Sequence, residues 1–131
     1  MTGERTFQKF KRLISKKTFL LWLDSLKKEY KLIGPRYYRG NHAVFKEVDS
    51  SEELFMEYET TMLSPGKLFL YKPNEELFRF AMNGKITIDE IAPIAEKQVI
   101  VGVHPCDVNA ILYLDRTFLR TFKDPHYEAR R

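Results

Sequence analysis

The sequence holds one cysteine, Cys106, in 131 residues. A single thiol excludes an internal disulfide framework and any all-cysteine metal site built within the chain. Long apolar runs are missing as well: no stretch approaches the roughly 20 apolar residues of a membrane-spanning helix. The opening residues, MTGERTFQKFKRLISKK, lack the apolar middle and small-residue cleavage site of a secretory signal. There is no glycine-rich phosphate loop, no Cys-x-x-Cys, no His-x-x-x-His pair, no internal repeat and no low-complexity tract. An independent enzyme therefore finds little support among the motifs that carry a mechanism. The cysteine count fits a reducing compartment, and a cytoplasmic location without a membrane span is expected.

What is present points to a globular domain. Hydrophobic residues make up 44% of the chain, with ten Phe, seven Tyr and one Trp, and the length suits one domain rather than two. The net charge of +4 is unevenly placed. Residues 1–40 carry 11 basic and 3 acidic side chains, whereas residues 41–131 carry 11 basic and 15 acidic. Residues 1–17 read as a basic arm and residues 18–131 as the folded domain. Such an arm suits nucleic acid, an acidic membrane face or an acidic protein, or is simply a solvated helix face. No nucleic-acid-binding motif accompanies it, so nucleic acid is not the expected partner.

Periodicity gives an element string. A helix is predicted around Phe7 to Ile14, and a second after Thr18 as N-cap, with Phe19, Trp22, Leu23, Leu26 and Tyr30 on one face. Trp22 reads as core. KLIGPRYYRGNHAVFKEV reads as a hairpin turning at Arg39-Gly40-Asn41, with His42 solvated beside the turn. Ser50 and Glu53 form a capping-box pattern for a helix running to about Met62. KLFLYKP reads as a strand or extended segment. EELFRFAMNGKITIDEI reads as a second hairpin turning at Asn83-Gly84, and IAPIAEK as a connector. QVIVGV has the β-branched composition of a fully buried strand, and a helix follows from Pro105, marked by Val108, Ile111, Leu112, Asp115 and Phe118 or Leu119. The expected fold is mixed α/β: a small mixed sheet with hairpins and flanking helices in a single domain.

The stretch VGVHPCD is where chemistry is expected. A strand leaves the sheet at its carboxyl end and turns into a helix, the edge at which ligands sit in open α/β sheets. A cysteine in a first helical turn has its thiolate favoured by the exposed amides and the dipole. Two readings of the residues stand side by side. Cys106 is a small core residue with Asp107 capping the helix, or Cys106 is a metal ligand or reactive thiol at the sheet edge. His104, two residues away, would be its partner in a thiol-dependent or small-ligand-binding enzyme.

The stretch VIVGVHPCDVNAILYLDRTFL, followed by KDPHYEARR, resembles the pattern GVRPCDLxAIxxLDRxFL…DPYYxxRR of iron–sulfur electron-transfer subunits. That family includes sulfhydrogenase beta subunits, the corresponding subunit of anaerobic sulfite reductase and 4Fe-4S dicluster proteins linked to heterodisulfide reductases. YKLIGPRYYRGNHAVFKEVDSSEEL and TMLSPGKLFLYKPNEELFRF resemble its upstream segments, so the likeness covers roughly residues 18–131. His104 stands where the family has Arg, which removes a permanent charge. In the family, cysteine-rich segments holding two 4Fe-4S clusters follow the Arg-Arg pair. The resemblance thus implies a cluster-free N-terminal domain, with the clusters in a further part of the protein or in a partner. It implies a non-catalytic, docking role in a redox complex, with ferredoxin or flavin subunits as neighbours. Pro105, Cys106 and Asp107 would form a loop facing a cluster or redox partner, with Cys106 a metal ligand only if others come from elsewhere. Tyr37, Tyr38 and Tyr127 are read as exposed aromatics, either contact residues for such a partner or ordinary surface residues.

Overall fold

The computed structural model describes residues 13–82 and 84–131. Most of the basic arm, with residues 7–12 of its expected helix, lies outside the described residues, as does Asn83. The elements run α1 Lys16–Leu26, β1 Lys31–Arg39, β2 His42–Glu47, a 3₁₀ turn Ser51–Glu53, β3 Thr60–Thr61 and a π turn Gly66–Leu70. After them come β4 Phe78–Met82, β5 Ile86–Glu90, β6 Gln98–Ile100, α2 Pro105–Phe118 and α3 Pro125–Arg130. One sheet has the order β3-β2-β1-β6 and a second pairs β4 with β5. The first is mixed: β1 runs antiparallel to β2 and parallel to β6, and β2 runs parallel to β3. The mixed α/β fold class expected from the sequence is what forms.

Both faces of β1 are covered near its start. Leu32 packs with Leu23 of α1 and Val48 on one face, and Ile33 packs with Ala43, Phe45 and Tyr58 on the other. Adjacent residues feed opposite faces because side chains alternate along a strand. Pro35 explains where the parallel ladder stops. Lys31 N–H donates to Lys97 C=O and Val101 N–H to Ile33 C=O, so odd-numbered residues of β1 face β6. Proline at 35 has no amide for that side, β6 pairs only as far as Ile33, and the Pro35 carbonyl instead accepts from Phe55 N–H at 2.7 Å.

Several expectations change. Helix α1 is capped by Ser15, whose side chain accepts from Thr18 N–H at 3.1 Å; Thr18 lies inside the helix. Tyr30 lies beyond the helix, and Trp22 is 51% exposed while Leu23 is fully buried. Leu23 packs against Leu32 and Val48, whereas Trp22 lies beside Phe19 with its ring half in solvent. The helix expected to reach Met62 stops after one turn. Its cap forms, with Glu52 N–H donating to the Ser50 side chain and Asp49 N–H to the Glu53 carboxylate. Beyond it, Glu59 N–H donates to Asn41 C=O and Met62 N–H to Ala43 C=O. Pairing with β2 and burial of Tyr58 outweigh helical propensity there.

Residues 67–70 of KLFLYKP lie in a π turn rather than a strand, with Leu70 buried. Leu68 and Phe69 pack against the Ile33 cluster, and α2 lies over the turn through Ile111 and Leu114. QVIVGV is half-buried, not fully buried, since β6 sits at the end of its sheet. Tyr127 is fully buried, while Tyr37 and Tyr38 are exposed as expected. The first hairpin turns at Gly40 and the second at Gly84, both with positive φ. In the second, Phe80 opposes Ile88 and Met82 opposes Ile86, so one exposed face carries an apolar ladder of unusual size for an isolated hairpin.

Candidate functional site

The loop from β6 to α2 is shaped by Gly102 and Tyr58. Gly102 has φ +71°, and a Cβ there would lie 2.9 Å from Met56 Sδ and 3.1 Å from the Pro35 ring. The proline that ends the β1–β6 ladder therefore also fixes where the chain turns out of the sheet. Tyr58 Oη donates to Gly102 C=O at 2.7 Å, and its ring stacks on His104 with centroids 4.2 Å apart and planes 9° from parallel. Phe45 meets Tyr58 edge-on. Burial pushes the Tyr58 hydroxyl up to about 12, with the nearby Asp107 carboxylate adding to it. Tyr58 is thus a neutral donor at any ordinary pH. It has no sequence signal near His-Pro-Cys-Asp, since 46 residues separate it from His104, and only the fold brings it in.

His104 is the N-cap residue of α2 by backbone, without a side-chain capping bond, and Pro105 occupies the first turn. Asp107 lies in that turn but does not cap it. Cys106 is exposed, which removes the core reading of the thiol. No hydrogen bond joins His104 to Cys106 among the described residues; the imidazole is spent on Tyr58 instead. In the folded chain Cys106 is expected to react fully with Ellman's reagent without denaturant. Labelling that begins only in urea would mean that the first turn of α2 is covered.

These residues do not fit a cluster by themselves. A [4Fe–4S] centre takes about four thiolates and the chain has one. No group of three or more His, Cys, Asp or Glu side chains comes together among the described residues in a way that would hold a metal.

A second constellation forms at α3, a grouping that no spacing in the sequence signals. Asp124 caps the helix, accepting from Tyr127 N–H at 2.8 Å. Buried Tyr127 donates its hydroxyl to Asp115 Oδ1 at 2.8 Å, and Arg131 holds both Asp115 oxygens at 2.8 and 3.1 Å. Arg130 is buried, forks onto Glu75, and donates from Nε to Leu70 C=O at 2.9 Å. His126 Nδ1 lies 3.2 Å from the same Glu75 carboxylate. Arg130 beside Glu75, and Arg131 beside Asp115, hold these two carboxyls below their ordinary values. Burial pushes the Tyr127 hydroxyl up, with Asp115 adding to it.

A pH dependence follows. Depressed carboxyl values in the folded state contribute stability above the ordinary values of 4.5 for Glu75 and 3.8 for Asp115. That contribution is lost as pH falls through the depressed values, because the unfolded chain then takes up protons first. The urea midpoint is expected to be flat from about pH 8 to pH 5 and to fall steeply below about pH 4. In a Glu75→Gln, Asp115→Asn chain the fall is expected to be shallower, and an unchanged profile would count against this clamp.

With this geometry in view, the likeness to known proteins has a shape. Over 110 residues, the chain is 34% identical to Sulfhydrogenase 2 subunit beta of Pyrococcus furiosus. The chain resembles part of a sulfhydrogenase beta subunit. The match takes in 84% of this chain and 31% of the relative, so the chain spans about a third of that protein's length. No family model matches the chain, and no solved structure does. Within residues 104–131, Asp115, Asp124, Tyr127, Arg130 and Arg131 form the clamp that seats α3, whereas His104, Pro105 and Cys106 form the first turn of α2 with the thiol exposed.

Proposed function

We infer that this chain is an accessory, non-catalytic part of a cytoplasmic iron–sulfur redox complex, docking on subunits that carry clusters or flavin. The observation that carries this reading is the 34% identity to a sulfhydrogenase beta subunit over 84% of the chain. Residues 18–131 serve as the docking domain and residues 1–17 as a basic arm toward an acidic partner. The Pro105-Cys106-Asp107 turn faces a cluster or redox partner, with the exposed thiol either one ligand of a shared set or a neighbour of the cluster. Exposure of Cys106 and its place at the amino end of a 14-residue helix support that orientation. A ferredoxin or a flavin subunit is the expected redox neighbour.

The test is purification of the tagged chain from its native cells, with iron, flavin and EPR measured on what accompanies it. Stoichiometric recovery with a protein that shows a 4Fe-4S EPR signal is the expected result. Recovery of the chain alone, free of iron and flavin, would sink the reading. A Cys106→Ser variant of the same complex is expected to shift the cluster spectrum or slow electron transfer. If neither changes, the turn has no redox role and the docking role stands without it.

The exposed thiol also favours a second reading, a thiol-dependent enzyme domain. That reading requires alkylation of Cys106 at neutral pH to be much faster than for a free thiol. An ordinary rate would dispose of it.

A further inference from the structure

Strand β6 ends the four-stranded sheet, and among the described residues nothing pairs with its far side. The bonds of Lys97 and Val101 to β1 fix the direction of its backbone groups. In a parallel ladder, alternate residues serve one neighbour, so Lys97, Val99 and Val101 serve β1. Gln98 and Ile100 therefore turn N–H and C=O toward the open side. The same two residues line a cavity of about 470 Å³ whose walls include Leu70, Val103, Val108 and Leu112. Helix α2 above it has no fully buried residue in 14, and Val108 and Leu112 are 44% and 46% exposed. An unpaired strand edge beside an apolar groove offers backbone bonds and side-chain pockets together, the pair of features that an added strand uses.

The direction of such a strand can be read from α3. Gln98 Nε2 donates to Arg130 C=O at 3.1 Å, which places the end of α3 against the first residue of β6, and Arg131 lines the same cavity. A strand set out from that point runs along β6 in the same direction, with α2 lying over the crossover. This is the arrangement that parallel neighbours in one sheet require. Enough polypeptide for it exists in the relative, since more than two thirds of that protein's length lies outside the match.

We propose that the open edge of β6 and its groove receive an extended strand, parallel to β6 and apolar toward α2, from the polypeptide that forms the rest of a sulfhydrogenase-type beta subunit. This rests on the docking reading and names the surface through which the domain joins its own larger subunit. The pairing partners are the backbone groups of Gln98 and Ile100, and the specificity comes from the Val108 and Leu112 side of the groove.

The test is co-production of this chain with the part of the Pyrococcus furiosus subunit outside the matched stretch, followed by hydrogen exchange at residue resolution. The two are expected to co-purify, with the Gln98 and Ile100 amides slowed about tenfold or more relative to the chain alone. Leu112→Glu is expected to abolish co-purification and Phe80→Glu, on the exposed hairpin, to leave it intact. Both positions are about half exposed or more, so melting of the isolated variants should match the parent. Three outcomes overturn the proposal. Loss of the complex with Phe80→Glu but not Leu112→Glu moves the docking face to the hairpin. A homodimer of this chain broken by Leu112→Glu gives the groove to a second copy. Absence of any complex removes the strand altogether. None of these touches the association with separate cluster- or flavin-bearing subunits, which the native purification decides.

Discussion

Replacing Arg130 by methionine is expected to cost about 3 kcal/mol or more, read as a lower urea midpoint with an unchanged slope. Arg130 is 6% exposed and serves two partners at once, the Glu75 carboxylate and the Leu70 carbonyl. Methionine fills much of the space but leaves Glu75 in a half-buried site with only His126 beside it. The larger part of the loss is therefore a stranded carboxylate rather than a missing attraction. It follows that Arg130→Met combined with Glu75→Gln should be more stable than Arg130→Met alone. Arg131 gives the contrast within one motif. Its side chain is 41% exposed where it meets Asp115, and Arg131→Ala is expected to cost about 1 kcal/mol or less. Equal costs for the two arginines, or no recovery in the double variant, would show that α3 is not clamped through Glu75.

Gly102→Ala is expected to destabilise the chain by roughly 2–4 kcal/mol, combining a left-handed backbone with overpacking. Gly40 separates the two causes. It also has positive φ, at +56°, but a Cβ there meets nothing within 4 Å. Gly40→Ala should therefore show only the backbone part, roughly 1–2 kcal/mol, and the remainder at Gly102 measures the contact with Met56 and Pro35. Moving Gly102 also moves the carbonyl that Tyr58 holds, so the thiol reactivity of Cys106 should change in Gly102→Ala and not in Gly40→Ala. Equal costs at the two glycines would mean that Pro35 does not set the turn.

Much of this architecture was legible in the chain because it depends on neighbours in sequence. Both hairpins follow from glycines between alternating segments, and α2 follows from a helical apolar pattern after a proline. The Ser50–Glu53 cap formed where the local pattern put it. What periodicity could not show was how far the helix after that cap runs, because pairing of residues 59–62 with β2 ends it. Nor could it show which of two helical neighbours, Trp22 or Leu23, is buried, since that depends on how α1 sits against Leu32 and Val48.

The candidate site divides along the same line. The turn at His104, Pro105 and Cys106 is local: a strand, a glycine and a proline-led helix place it whatever else the chain does. Tyr58 under His104, Pro35 against Gly102, and Glu75 under Arg130 join residues 46 to 67 positions apart. No spacing rule reaches that far, because such pairs are selected by packing between elements rather than by the geometry of one element. By itself the sequence determined both hairpins, the helices at α1 and α2, the strand before α2 and a resemblance over roughly residues 18–131. Only the tertiary structure divided that resemblance into a clamp built on buried Tyr127 and Arg130, which seats α3, and an exposed thiol-bearing turn. Burial made the difference: buried ionic groups must find partners across the fold, while an exposed cysteine is left to whatever docks on it.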